Sequence, residues 1–310
     1  MRKGLHQKII SHVRNITPIS LRQKIGPMLA YIYYFDRLYI RSKHNKPNIL
    51  SIEETVDFIL EEKCSVIRFG DGEISLIDGM DLPFQKRYEK LSHELEKIIQ
   101  TQNKKLLICI PGMWGNLDIF APYAYHFIMH HMYRYHHVWE KLLIPNKIYG
   151  DTNVTRHYLA YKNKERSNII FNKIFKIWKD NDVVLIEGEK SRLGVGNNMF
   201  TETKSLRRIL CPPENAYSKY QEILNEALKI NKNTLILLSL GPTAKVLAYD
   251  LFAHGYRVVD IGHIDMEYEM FLRKETKQIK VAHKYFNEIN ERNPIDCNDE
   301  TYKKSIIITI

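Results

Sequence analysis

Apolar positions along this 310-residue chain recur in two rhythms, and the switching between them organises most of its length. Short, nearly continuous apolar runs at residues 64–69, 106–110, 182–186, 234–239 and 256–261 have the length of strands buried on both faces. Between them, residues 51–62, 88–101, 169–179 and 244–254 carry the wider spacing of amphipathic helices. Ser51, followed by Glu53 and Glu54, supplies a helix cap and an acidic first turn. Pro242 opens the helix after the fourth run and Gly255 closes it, so 234–261 reads as a strand-helix-strand unit. Such a unit requires parallel pairing, and the predicted class is α/β: a mostly parallel sheet flanked by helices. Pro111-Gly112 ends one strand, and Tyr149-Gly150-Asp151 is read as a turn. Residues 47–275 form the expected main domain, and 276–310 a tail whose last six residues are either a short edge strand or a disordered end.

Residues 1–46 depart from this pattern. Spacing over 21–40 predicts a helix with a wide apolar face, broken near Pro18 and Pro27. The segment holds ten basic residues and one acid, so it accounts for +9 of the +10 net charge, while the remaining chain has 36 basic and 35 acidic residues. The body is therefore balanced, and no nucleic-acid partner is expected. The basic extension suits peripheral contact with an anionic membrane surface, or packing on its own domain or on a second subunit of a homo-oligomer. No apolar run nears the roughly 18 residues of a membrane span, and the mature chain is expected to begin near Met1. Four widely spaced cysteines fit a reducing compartment, so the expected location is cytoplasmic, with peripheral attachment at the inner face of the membrane as an option.

Candidate chemistry clusters where the apolar runs end. The first run ends in Arg68-Phe69-Gly70-Asp71-Gly72-Glu73. On extended backbone the two carboxylates, spaced i, i+2, project to one side and could share a hard divalent cation; Asp71-Gly72 is equally a β-hairpin turn signal. Past the third run, Glu187-Gly188-Glu189 leads to a loop with Arg192, Gly194, Gly196, Asn197 and Asn198, suited to phosphates or sugar hydroxyls, or a plain glycine-rich turn. The Gly241 to Thr243 turn lacks the usual dinucleotide and P-loop patterns. Beyond the last run, His263 and Asp265 lie among Asp260, Glu267 and Glu269, as ligands, bases, or helix-dipole partners. His126 and His130 share a helical face, but only Asp118 and Glu140, at the margins, could complete a metal shell, and aromatic packing is the plainer reading.

Three blocks together resemble a known family, the bacterial GT-D type glycosyltransferases with a DxE metal motif in a Rossmann-like fold. They are residues 68–73, residues 194–198 with 208–216, and residues 239–244 continuing to 260–268, in that order over roughly 50–272. The resemblance implies transfer of a hexose from a UDP-sugar such as UDP-glucose to a bacterial surface glycan or glycoprotein acceptor. It places Mn²⁺ or Mg²⁺ on Asp71 and Glu73. In this reading Arg68 with Phe69 and Gly70, Arg192, Gly196, Asn197, Asn198, Gly241 and Thr243 line the donor, with the arginines and the helix start near Thr243 taking phosphate charge. Glu187, Asp265 and His263 are the candidate bases, and His263 is alternatively a metal ligand. Competing readings are a nucleotide-dependent phosphotransferase or hydrolase, and a membrane-surface scaffold acting through residues 1–46.

Overall fold

The computed structural model describes residues 47–286, 288 and 294–310, so the expected helix within 1–46 and the contacts assigned to it lie outside the described residues. Nine strands and nine α-helices are described. In chain order they are β1 (Asn48–Ile49), α1 (Ile52–Glu62), β2 (Ser65–Arg68), α2 (Asp71–Ile77), α3 (Glu89–Ile99), β3 (Leu106–Ile110), α4 (Pro122–Leu142), β4 (Ile148–Asp151), α5 (Ser167–Phe175), β5 (Asp182–Gly188), β6 (Ser205–Cys211), α6 (Tyr220–Ala227), β7 (Leu235–Ser239), α7 (Thr243–Ala253), β8 (Val258–Asp260), α8 (Ile264–Leu272), α9 (Glu300–Ser305) and β9 (Ile306–Thr309). All pairings are parallel, and the strand order across the sheet is β1-β4-β3-β2-β8-β7-β5-β6-β9.

Period-two alternation gives each strand two apolar faces. Ile67, Ile108, Ile186 and Leu238 pack one way, with Leu95 of α3, Trp139 of α4, Ile223 of α6 and Leu247 of α7. Val66, Leu107, Leu185 and Leu237 pack the other way, with Ile59 of α1, Phe171 of α5 and Met270 of α8. This double burial explains why the strands read as continuous apolar runs. The Ser51 cap is realised as a reciprocal capping box with Glu54. Gly255 takes φ +85° just after α7, and β7 and β8 pair in parallel as the sequence predicts.

Several expectations change. Residues 149–151 are strand rather than turn. Gly150 is there because a Cβ would lie 2.6 Å from Cys109 Sγ and 3.0 Å from Leu107 and Thr55 side-chain carbons; close strand-helix packing, not backbone freedom, asks for glycine. Strand β6, with Arg207 and Arg208 interrupting its apolar residues, was not predicted, and β9 is an edge strand on it. The α4 histidines form no metal centre: His131 accepts a 2.9 Å hydrogen bond from Trp139 Nε1, and no group of three or more metal-ligating side chains converges among the described residues. No helix among those residues is long and apolar enough to cross a membrane.

Burial also sets an acid limit on the fold. Removal from water pushes His131 and His157 down to about 4, and both are buried. A folded-state value below the unfolded one, near 6.5, means the unfolded chain binds more protons between the two. The neutral rings therefore contribute fully above about pH 6.5, and the contribution is lost as pH falls toward 4. We expect urea midpoints to drop from pH 7.5 to pH 5 by the equivalent of roughly 1–2 kcal/mol per ring, with a shallower drop in His157→Phe.

Candidate active site

Adjacent strands β2 and β8 lead in opposite directions across the sheet, β2 to β3 and β8 to the far edge at β9. Their following helices also leave on opposite faces, α2 and α3 on one and α8 on the other. A crevice opens where the order reverses, outside the carboxyl ends of these strands, and ligands of open α/β sheets bind at such points. The first and last sequence motifs meet here.

The floor of the crevice is a chain of buried charges. Arg68, ending β2, donates from Nε to the Asp260 carbonyl at 2.9 Å and from Nη2 to Asp260 Oδ1 at 3.3 Å. Its Nη1 bonds Thr152 O and Thr155 Oγ1. Lys245 of α7 then bridges Asp260 Oδ2 and Glu73 Oε1, both at 3.1 Å. Burial alone would raise the Asp260 carboxyl, but Lys245 and Arg68 together outweigh it and hold it below the ordinary range. Arg68 is thus a brace between strands rather than a free phosphate ligand. Gly262 makes this possible: at φ +44° it carries no side chain, and a Cβ would sit 1.8 Å from Arg68 Nη2. Gly262→Ala should force the guanidinium out and cost about 2–4 kcal/mol, from overpacking plus left-handed strain; chemical denaturation measures this, and a neutral result would show that the brace can relocate.

Asp71 and Glu73 lie neither on extended chain nor on a hairpin turn. They open helix α2, with Gly70 as its cap, so their side chains diverge by about 200° around the axis. Glu73 turns back and accepts the Gly70 N–H at 2.7 Å while facing Lys245. Asp71 remains exposed at the mouth of the crevice. Its carboxyl is raised, first by the surrounding protein displacing water and then by the Glu73 charge, so the two carboxylates share one field.

His263 caps the start of α8 on the opposite lip. Its Nδ1 is 2.9 Å from Arg156 Nη2, and since arginine only donates, Nδ1 is the acceptor and the neutral ring carries its proton on Nε2. Desolvation, then the Arg156 charge, push the ring down to about 4. His263 can donate from Nε2 but is a poor proton acceptor there.

The remaining predicted residues are engaged by contacts within the fold. Glu187 lies within β5, fully buried, paired with Arg208 and accepting the Leu193 N–H at 2.8 Å. Asp265 is buried and accepts from Gly194 N, Asn197 Nδ2 and Lys284 Nζ. Neither offers a free carboxylate. Asn197 also donates to Glu269, and Asn198 accepts from Tyr268. Arg192 donates to the carbonyls of His283 and Ile295, while Gly196, at φ +80°, lies 3.5 Å short of His283 for any added Cβ. The glycine loop therefore clamps the C-terminal segment instead of facing the crevice floor. Thr243 is buried against Gln85, and Phe84 covers Gly241, so the start of α7 is plugged. Phe69 belongs to the core.

Three participants had no sequence signal as such. Lys245 looks like an ordinary helix position, and Arg156 and Lys284 lie outside the three blocks that carry the family resemblance. Lys284 is buried against Asp265 and Glu269 at 2.7 and 3.1 Å.

Residues 66–289 match the family model described as the glycosyltransferase GT-D fold. The probable glycosyl transferase Gly of Streptococcus gordonii is 39% identical over 266 residues, covering 85% of this chain and 39% of that protein. Glycosyltransferase GlyD of Streptococcus pneumoniae serotype 4 is 38% identical over 264 residues, covering 84% of this chain and 32% of that protein. The chain thus spans about a third to two fifths of the length of these relatives. A solved structure of domain of unknown function 1792, described as having a distinct glycosyltransferase fold, superposes with a TM-score of 0.84 at 36% identity, over 89% of this chain and 99% of that one. With its parallel sheet, its crevice between β2 and β8 and these matches, the chain belongs to the GT-D glycosyltransferase family.

Proposed function

We propose that this chain transfers a hexose from a UDP-sugar to a hydroxyl of a bacterial surface glycan or glycoprotein acceptor, with Mn²⁺ or Mg²⁺ held at Asp71 and Glu73. The observation that carries this is the exposed Asp71 carboxylate at the mouth of the β2/β8 crevice, two residues ahead of Glu73 and in front of a floor of paired buried charges. Asp71 supplies the free carboxylate oxygens that a hard divalent ion takes, whereas Glu73 would have to release Lys245 or the Gly70 N–H to join it, and the ion would complete its shell with water and diphosphate oxygens. Such an ion, when bound, would stabilise the charge that develops on the leaving diphosphate.

The chain's own residues supply the rest. Lys245 aims Glu73, and Asp260 in turn holds Lys245. His263 Nε2 is a hydrogen-bond donor on the far lip, placed to hold an acceptor or sugar oxygen. Glu187 and Asp265 act as scaffold, so the proton of an acceptor hydroxyl does not go to either. The test is UDP release from a panel of UDP-sugars with Mn²⁺, Mg²⁺ or EDTA. Turnover of one donor that EDTA abolishes is expected; release of inorganic phosphate without sugar transfer would replace this reading with a hydrolase.

A further inference from the structure

A diphosphate needs a cation other than the metal, and the two arginines that sequence offered are both committed, Arg68 to Asp260 and Arg192 to backbone carbonyls. Arg156 is different. It follows the loop residues Thr152 and Thr155 that Arg68 holds at the end of β2, and it reaches across to His263 at the start of α8. It therefore spans the crevice mouth, with about a third of its side chain exposed. Asp71 and Glu267 both contribute to its electrostatic surroundings, so it lies in the field of the carboxylate at the opposite lip. Its only acidic ion-pair partner among the described residues is Glu288, itself partly exposed at the same mouth and also held by Gln278.

From this geometry we propose that Arg156 is the diphosphate-binding residue of the donor site and that Glu288 occupies it, carboxylate in place of phosphate, until a nucleotide displaces it. The proposal deepens the donor reading above and rests on it. The physical basis is that a planar guanidinium takes a carboxylate or a phosphate with the same two-pronged geometry, so the two compete for one fork. A dianionic phosphate group with a metal nearby wins over a single half-exposed carboxylate, whose ion pair is worth little. Glu288 would keep Arg156 extended across the mouth when no nucleotide is bound, and nucleotide entry would exchange one anion for another without leaving the cation unpaired.

The two side chains of an ordinary ion pair should fail together, whereas a ligand and its competitor should fail in opposite directions. The full chain is titrated calorimetrically with UDP, GDP, ADP and inorganic pyrophosphate, each with Mg²⁺, and with uridine. Arg156→Ala is expected to weaken UDP and pyrophosphate binding about 10- to 100-fold and leave uridine unchanged, with Arg156→Lys intermediate. Glu288→Gln is expected to tighten both diphosphates about two- to fivefold. Thermal unfolding of each variant separates folding from binding, and Arg156→Lys preserves the charge if Arg156→Ala does not fold. Loss of affinity in both Arg156→Ala and Glu288→Gln, or no change in either, overturns the assignment. Binding of pyrophosphate or another nucleoside diphosphate without UDP would fail the uridine part of the donor reading while leaving the Arg156 comparison intact; binding of none of these probes to the wild type would overturn both.

Discussion

Asp71→Asn should abolish metal-dependent sugar transfer while leaving the fold intact. The side chain is exposed at the crevice mouth and its carboxylate is hydrogen-bonded only by its own backbone N–H, so its replacement by an isosteric amide removes charge and little else. An amide oxygen is a weaker ligand for a hard cation, and it cannot balance the charge of the ion as the diphosphate departs. Losing one preorganised charge interaction at a developing anion typically lowers turnover by about 10²–10³-fold. The measurement is UDP release at saturating Mn²⁺, with urea denaturation alongside. Glu73→Gln is a mixed experiment by comparison, because it also strips Lys245 of a buried partner and the Gly70 N–H of a charged acceptor. Wild-type turnover in Asp71→Asn would remove the metal from this lip of the crevice.

Lys284→Met carries the largest expected effect on stability. Its ammonium is wholly buried between Asp265 and Glu269, which are also bridged by Asn197. Burial alone would raise Glu269; Lys284 is the main influence that brings it below the usual carboxylate range. Removing the cation leaves two carboxylates facing one another in a dry setting, the case in which breaking a buried pair costs about 3–5 kcal/mol. The loss should appear as a lower urea midpoint at pH 7 and should shrink as pH falls and one carboxylate protonates. A triple replacement of Lys284, Asp265 and Glu269 by apolar residues of similar size would recover much of the stability, because no unpaired charge remains. If Lys284→Met unfolds like the wild type, the segment carrying Lys284 is not anchored by this cluster.

The strands were legible because a sheet covered on both faces demands uninterrupted apolar runs, and few other structures do. Leu106–Ile110 and the unit from β7 through α7 to β8 fall where pattern and punctuation put them. Gly150 misled for an equally physical reason: glycine marks a turn through its φ freedom but marks close packing through its missing Cβ, and the letter alone does not distinguish the two. At the site, sequence located the right strand ends but assigned side chains by proximity to them. Asn197 and Arg192 lie just past a strand end, yet face the C-terminal segment.

The α/β class, the parallel pairing, the family and the positions where polar groups follow strands are all legible along the chain, since each depends on local periodicity or on contiguous residues. Which of those groups stay free was decided only by tertiary structure. A carboxylate is chemically available when no donor from elsewhere in the chain reaches it, and the donors are remote: Lys245 for Glu73, Arg208 for Glu187, Lys284 for Asp265. Pairing energy between buried charges depends on distance and dielectric, and both are properties of the folded arrangement, not of neighbours along the chain.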